Sequence, residues 1–359
     1  MTKQVTIGNL NIGGGAPVAV QSMCNTDTRN VAATVEQIHR LEAAGCEIIR
    51  VAVFDQAAAE AIRPIRDQIR IPLVADVHFD YRLALKAVEN GVDKLRINPG
   101  NIGSMERVRM VADCCKAHHI PIRIGVNGGS LEKDLLALYA VDPAQAMLQS
   151  ALGHAKILED CGFDDIVLSL KCTTVAATVA AYRLAHEKTD YPLHVGITET
   201  GPVENGIIKS AAGIGSLLMD GIGDTIRVSL TCDPVREVET GLAILRAVGV
   251  RRDDVEIVSC PTCGRTRCNV EEAVAYVNEH VHHNAGYLKV AVMGCAVNGP
   301  GEARAADLGV AFGDGKGVLF QKGEITESGS YETMLRRVVE VANGMLAAKK
   351  NERKLNGDV

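Results

Sequence analysis

From about residue 17 to residue 230 the chain repeats one pattern: a short aliphatic run, then a longer stretch with apolar residues every three or four positions. The runs fall at 17–22, 48–53, 73–78, 94–98, 122–127, 166–171, 194–198 and 225–230. The stretches at 31–44, 57–68, 81–89, 104–118, 143–161, 175–188, 207–220 and 235–248 carry the period of amphipathic helices. Strands alternating with helices imply parallel pairing, because parallel neighbours need a crossover between them. Eight such units over roughly 240 residues have the count and size of a TIM (β/α)8 barrel, with an open doubly wound sheet as the competing arrangement.

After residue 249 the pattern changes. A strand-like run at 255–259, a helix over 270–282, a strand at 288–293, a hairpin-like segment at 309–322 and a final helix from 331 to about 350 predict a small α+β domain. The chain therefore reads as an α/β protein, with a barrel domain at 1–249 and a second domain at 250–359. Its terminal Lys349-Lys-Asn-Glu-Arg-Lys run reads as a frayed, solvated helix end.

Composition narrows the class. A length of 359 residues exceeds one ordinary core, and 47% apolar residues with 3% aromatics and 35 Gly suit an aliphatic α/β fold. A net charge of -6 offers no overall attraction to nucleic acid. No apolar run approaches the ~20 residues needed to span a bilayer. The first residues lack the apolar core of a signal peptide, so a cytoplasmic location is expected. Of the 11 cysteines, Cys24, Cys46, Cys114, Cys115, Cys161, Cys172 and Cys232 sit among aliphatic residues and read as small buried hydrophobes.

The remaining cysteines carry chemistry. Cys260-Pro-Thr-Cys263 lets two thiolates grip one metal centre, and Cys295, in Gly294-Cys-Ala-Val-Asn-Gly-Pro-Gly-Glu302, can close it from a distance. No second Cys-x2-Cys completes a zinc ribbon, which favours an iron–sulfur cluster with an unusual fourth ligand. A closed zinc site of Cys260, Cys263, Cys268 and Cys295 on a non-redox barrel enzyme is the alternative. A cluster-bearing sensor without catalysis is a third reading.

Four predicted strands carry an arginine among aliphatic residues (Arg50, Arg96, Arg123 and Arg227), and Lys171 ends another. Buried guanidinium groups are costly unless an anion pairs with them. Strand ends at one face of a barrel bring such groups together, and convergent cations are what a diphosphate requires. Gly-rich loops at 98–103 and 127–130 add backbone amides for anions. Internal salt bridges with Glu47, Asp76, Asp93 or Asp224 are the alternative. Asp76 and His78 fit either substrate hydroxyls or a structural network. Glu199, just past a strand, is a candidate proton donor or a helix cap.

These motifs resemble a known family. Pro17-Val-Ala-Val-Gln-Ser-Met, Ala44-Gly-Cys-Glu-Ile-Ile-Arg-Val-Ala-Val, Leu95-Arg-Ile-Asn-Pro-Gly-Asn-Ile-Gly and both cysteine motifs are similar to those of bacterial 4-hydroxy-3-methylbut-2-enyl diphosphate synthases. The resemblance implies reductive ring opening and dehydration of 2-C-methyl-D-erythritol 2,4-cyclodiphosphate in isoprenoid biosynthesis. It implies a [4Fe-4S] cluster on Cys260, Cys263 and Cys295 with Glu302 as fourth ligand, and Cys268 as a bystander. It assigns Arg50, Arg96, Arg123, Asn127, Lys171 and Ser229 to the substrate, with Arg227 a weaker member. Glu199 becomes the proton donor. Cys24 stands where the family more often has Thr.

Flavodoxin or ferredoxin is the expected electron donor, and Arg251, Arg252, Arg265, Arg267 and Arg304 form either its docking patch or ordinary surface charge. The helix at 235–248 should carry the chain about 20 Å back from the substrate face. The cluster domain then begins on the far side of its own barrel, which predicts a head-to-tail homodimer with shared active sites. The resemblance points the same way.

Overall fold

A computed structural model describes residues 1–172, 174–295 and 305–356, with residue 130 and residues 353–356 described by their backbone alone. The chain divides into two compact units, Met1–Val250 and Arg251–Val359.

The first unit opens with a hairpin, β1 (Val5–Ile7) and β2 (Leu10–Ile12), turned through Gly8 at φ 58°. That positive φ at the first turn position is the kind of two-residue turn that matches strand twist. Eight parallel strands follow: β3 (Ala19–Met23), β4 (Ile48–Ala52), β5 (Leu73–Asp76), β6 (Lys94–Ile97), β7 (Ile122–Asn127), β8 (Ile166–Lys171), β9 (His194–Val195) and β10 (Thr225–Ile226). Their order is β8-β7-β6-β5-β4-β3-β10-β9, and a parallel bridge between Leu168 and Leu193 joins the two edges into a barrel.

Helices cover the outside because alternate strand residues face outward and are aliphatic. Ile49, Val51, Leu73, Ala75, Leu95, Ile97, Ile122 and Ile124 are buried against them in one continuous core. Helix starts are set by side-chain caps, with Asn30, Asp55, Asp80 and Thr174 each accepting a first-turn backbone N–H. The N-terminal hairpin closes the barrel from below. Its Val5, Ile7 and Ile12 pack with Ala19, Ile48, Val74 and Val167 from the strands. This apolar stopper leaves the opposite, C-terminal ends of the strands as the open mouth.

Three features depart from the periodicity. The helix expected at 57–68 is two pieces, Gln56–Glu60 and Ile62–Arg66, since Pro64 has no N–H to bond the Glu60 carbonyl. β9 and β10 are two-residue strands rather than runs of five or six. Beyond them a side-chain bond, Thr200 Oγ1 to the Ser229 carbonyl at 2.8 Å, replaces the backbone ladder. The hairpin β1–β2 had no signal beyond three short alternations.

In the second unit, β11 (Val255–Ser259), β12 (Leu288–Met293) and β13 (Leu308–Phe312) are parallel, while β14 (Lys316–Gln321) and β15 (Glu324–Ser330) continue antiparallel. The helices Val270–His280 and Tyr331–Asn356 belong to the same layered unit, and Ala273, Val277, Leu288, Val290, Leu308, Leu319 and Val338 form its core. β15 lies outside the expected hairpin. It is polar and largely exposed, so it carries no hydrophobic alternation to read.

Candidate active site

The mouth of the barrel holds a cavity of about 210 Å³ lined by Arg50, Asp76, His78, Arg96, Arg123, Gly125, Asn127, Ser169, Lys171, Thr198, Arg227 and Ser229. The period of two along each strand explains the set. Gly125 and Asn127 alternate on β7, as do Ser169 and Lys171 on β8, and Arg227 and Ser229 after β10. Strand register then brings the charges level, with Asp76 opposite Arg96 and Arg96 opposite Arg123.

Five of these side chains are cationic and one is a carboxylate. Asp76 takes Arg96 Nη1 at 3.2 Å and Arg50 Nε at 3.7 Å. Burial works against its charge, but Arg50, the bond from His78 and Arg96 together hold its carboxyl well below the usual range. Arg50 also donates to the Met23 thioether, at 2.8 Å from Nη2. Arg96 Nη2 donates to the Gly125 carbonyl at 2.9 Å. A side chain at Gly125 would sit 2.6 Å from Arg96 Nε, so glycine is what admits the guanidinium. Arg227 reaches the buried Glu237 at 3.4 Å.

Arg123 is different. It is 1% exposed, and its Nε and Nη2 have no hydrogen-bond partner. Burial, and then Arg50 and Arg96, press its pKa well below the ordinary value. Lys171 is buried and pressed down by burial and by Arg227, Arg123, Arg50 and Arg96. Because a guanidinium stays protonated in proteins, this pressure is a standing cost that a bound anion relieves. The donor set fits an oxyanion with several oxygens and no neutral ligand.

The thiols lie on two loops. β11 and β12 are parallel, with Ser259 opposite Val292, so both C-terminal ends emerge side by side. Cys260 follows the first and Cys295 the second. The Gly294 N–H donates to Cys260 Sγ at 3.2 Å, and the Arg267 N–H donates to the Gly294 carbonyl at 2.9 Å. A side chain at Gly294 would overlap Val270, so this close approach requires glycine. Cys263 is exposed, and its thiol is held below the usual value by the Arg265 backbone, against slight burial, with help from Thr266 and the Arg265 side chain.

Amide-to-sulfur bonds and turn-borne thiols suit an iron–sulfur cluster. Among the described residues no three His, Cys, Asp or Glu side chains already converge as a metal site. Glu302, Asn298 and Arg304 lie outside the described residues. Cys268 is half-buried, packs against the core of its own unit, and its thiol is raised by burial and by Cys260. Cys260, likewise half-buried, packs against a second apolar cluster of that unit around Ala291, Met293 and Phe320, whereas Cys263 is exposed.

All six residues assigned to substrate from the sequence, Arg50, Arg96, Arg123, Asn127, Lys171 and Ser229, line the cavity. So do Arg227, Asp76 and His78. Glu199 does not. It is exposed, at φ 54°, immediately after the lining residue Thr198. Gly125, Ser169 and Thr198 were missed. Gly125 and Ser169 are each two residues from a flagged position on the same strand face, a signal that period-two counting from Asn127 and Lys171 contains, while Thr198 lies beyond the short β9 with no such neighbour.

The GcpE TIM-barrel domain matches residues 2–242 and the GcpE protein C-terminal domain matches residues 256–344. The chain is similar to the 4-hydroxy-3-methylbut-2-en-1-yl diphosphate synthase (flavodoxin) of Caldanaerobacter subterraneus subsp. tengcongensis, 55% identical over 96% of this chain and 98% of that one. The protein of that name from Geobacter sulfurreducens is 53% identical over 97% of this chain and 99% of its own length. Among solved structures, a dihydropteroate synthase of Yersinia pestis aligns with a TM-score of 0.51 at 15% identity, covering 69% of this chain and 98% of that one. At that identity it speaks for the barrel fold alone.

Proposed function

The chain belongs to the GcpE family, and from that premise and the cationic mouth of the barrel we propose how it acts. It converts 2-C-methyl-D-erythritol 2,4-cyclodiphosphate into 4-hydroxy-3-methylbut-2-enyl diphosphate in isoprenoid biosynthesis. In balance, the cyclodiphosphate dianion takes up two electrons and one proton and yields the linear diphosphate and one water. The observation that carries the barrel's part is Arg123, a buried guanidinium with two unpartnered nitrogens at the cavity wall.

Arg50, Arg96, Arg123 and Lys171 grip the diphosphate oxygens, and Asn127 and Ser229 supply neutral hydrogen bonds. Asp76 does not face the substrate as a base. Its two arginine partners hold it ionised, and it fixes their orientation. Binding energy at the diphosphate, remote from the bond that breaks, orients the carbon end of the substrate. Glu199, exposed at the cavity lip, delivers the proton that lets the tertiary hydroxyl leave as water.

Cys260, Cys263 and Cys295 hold a [4Fe-4S] cluster, with Glu302 as its fourth ligand. When bound, that cluster supplies electrons singly and an iron able to accept an oxygen ligand. Flavodoxin, the donor in the names of the relatives, delivers the electrons, with ferredoxin as a second candidate. The cluster serving one barrel comes from a second copy of the chain in a head-to-tail homodimer, because the helix Pro234–Ala247 returns the chain to the end of the barrel away from the cations. Free thiols suit a reducing cytoplasm.

Anaerobic reconstitution with iron and sulfide, followed by reduced flavodoxin and the cyclodiphosphate, should give the linear diphosphate. A brown, iron-loaded protein that binds substrate and never consumes it would sink the mechanism. Mixing a Cys295→Ala chain with a Glu199→Gln chain tests the sharing: activity returns if sites are built from two chains, and stays absent otherwise.

A further inference from the structure

Below the cavity the barrel holds a second polar layer, Lys94, Gln21 and His194, outside the residues that line it. Lys94 begins β6, two residues before Arg96 on the same inward-facing alternation, and is fully buried. Its Nζ reaches Gln21 Oε1 on β3 at 3.5 Å. Among the described residues no carboxylate comes within ion-pair distance of it.

The neighbouring groups make the layer still poorer in negative charge. His194 on β9 is fully buried, its Nδ1 bonds Thr225 Oγ1 at 2.8 Å, and its Nε2 has no partner. Gln21 Nε2 and two nitrogens of Arg123 are also unpartnered. Among the described residues, the titratable groups around this part of the barrel are Arg50, Asp76, Arg96, Arg123, Lys171, His194 and Arg227, with Glu237 beside Arg227 and Tyr182 beside Arg123. Both acids among them are taken, Asp76 by Arg50 and Arg96 in the layer above and Glu237 by Arg227.

We propose that Lys94 is a positioning residue that binds a proton when the cyclodiphosphate fills the cavity above it, and so matches the charge of the barrel to the charge it holds. The inference rests on the reading of the cavity as the cyclodiphosphate site. In the free protein, burial first and then Arg123 and Arg50 favour the neutral amine. Two negative charges arriving just above cancel the repulsion that kept the proton off. Ring opening then frees a terminal phosphate with one further charge, and a protonated Lys94 already answers it. Release of the product returns the amine to its neutral state.

The substrate itself makes a clean probe. Each of its phosphates carries one ester and one anhydride link, so its single acidic oxygen is already ionised and does not titrate near neutral pH, and any proton taken up on binding goes to the protein. Titration calorimetry of the cyclodiphosphate into oxidised holoenzyme, without an electron donor and in buffers of different ionisation enthalpy, counts those protons. Lys171 touches the diphosphate and contributes equally in wild type and variant. Lys94→Met should therefore take up about one proton fewer per site, and its affinity should lose about tenfold less per pH unit of increase. Its melting temperature without substrate should rise, because an unpaired buried amine gives way to an apolar chain of similar length.

Equal proton uptake in wild type and Lys94→Met overturns the inference, and a lowered melting temperature with unchanged uptake marks a merely structural lysine. If Lys94→Met does not fold, Gln21→Leu decides. Losing the Gln21 acceptor beside the amine should reduce the uptake, and an unchanged count overturns the proposal. Wild-type protein that binds no cyclodiphosphate overturns the reading of the cavity, and this inference with it. Binding without the Lys94-dependent proton leaves that reading standing and removes this inference alone.

Discussion

The barrel mouth and the cysteine loops each gather groups of like charge, and they hold them by opposite means. In the barrel, Arg50, Arg96 and Arg123 project from three of the four successive parallel strands β4 to β7, whose register cannot slip, because a one-residue shift would turn every aliphatic outward residue inward. The site exists before any ligand arrives, and burial of unpaired cations weakens the fold. In the second unit the thiols lie on turns after β11 and β12, with Cys263 exposed. Little stability is lost there, but the ligand itself must draw the sulfurs together. A preformed site costs the empty fold; a turn-borne site leaves that cost to be met by binding.

That contrast can be broken most sharply at Arg123. Arg123→Met should lower kcat/KM by about 100-fold or more, the usual consequence of truncating one member of a buried charge pair. It should leave the melting temperature equal or higher, since the empty barrel gains from losing an unpaired cation. Kinetics and thermal denaturation on one preparation check both, and a large loss of stability would show that Arg123 holds the barrel together.

Asp76→Asn should act in the reverse sense, lowering stability by about 3–5 kcal/mol through the two arginines left without their acid. The sign with pH follows from its lowered carboxyl. The stabilisation from Asp76 is fully present above about pH 4, near the ordinary pKa of an unfolded Asp, and is lost as pH falls through the lower folded value. Wild type should therefore lose stability at acid pH faster than Asp76→Asn, in denaturant melts at several pH values.

The smallest effect belongs to Cys268. Half-buried against the main core of its unit, with its thiol raised by burial, Cys268→Ala should keep its iron content and activity within about twofold and lose about 1 kcal/mol of stability. Iron analysis after reconstitution decides, and loss of iron would return Cys268 to the ligand set.

Much of this was legible beforehand for identifiable reasons. Arg50, Arg96 and Arg123 stand out because arginine is foreign to an aliphatic strand, and Cys260, Cys263 and Cys295 because their spacing has few uses. β15 and the split helix at Pro64 show the limits. A polar edge strand has no hydrophobic pattern, and one missing N–H interrupts a helix without disturbing its period. Lys94 and His194 passed unnoticed because each begins its strand next to a turn, where a polar residue is unremarkable.

Residue order alone thus determined the alternation of strand and helix, the inventory of cations and thiols, and the family. Those depend on local periodicity and on short motifs, which the chain carries wherever it folds. Closure of the barrel decided the rest: which cations meet, that Asp76 serves two of them, that Arg123 is left without a full set of partners, and that Lys94 lies beneath it. Burial and strand register arise between segments distant in sequence, and the charge state of a buried group follows from both.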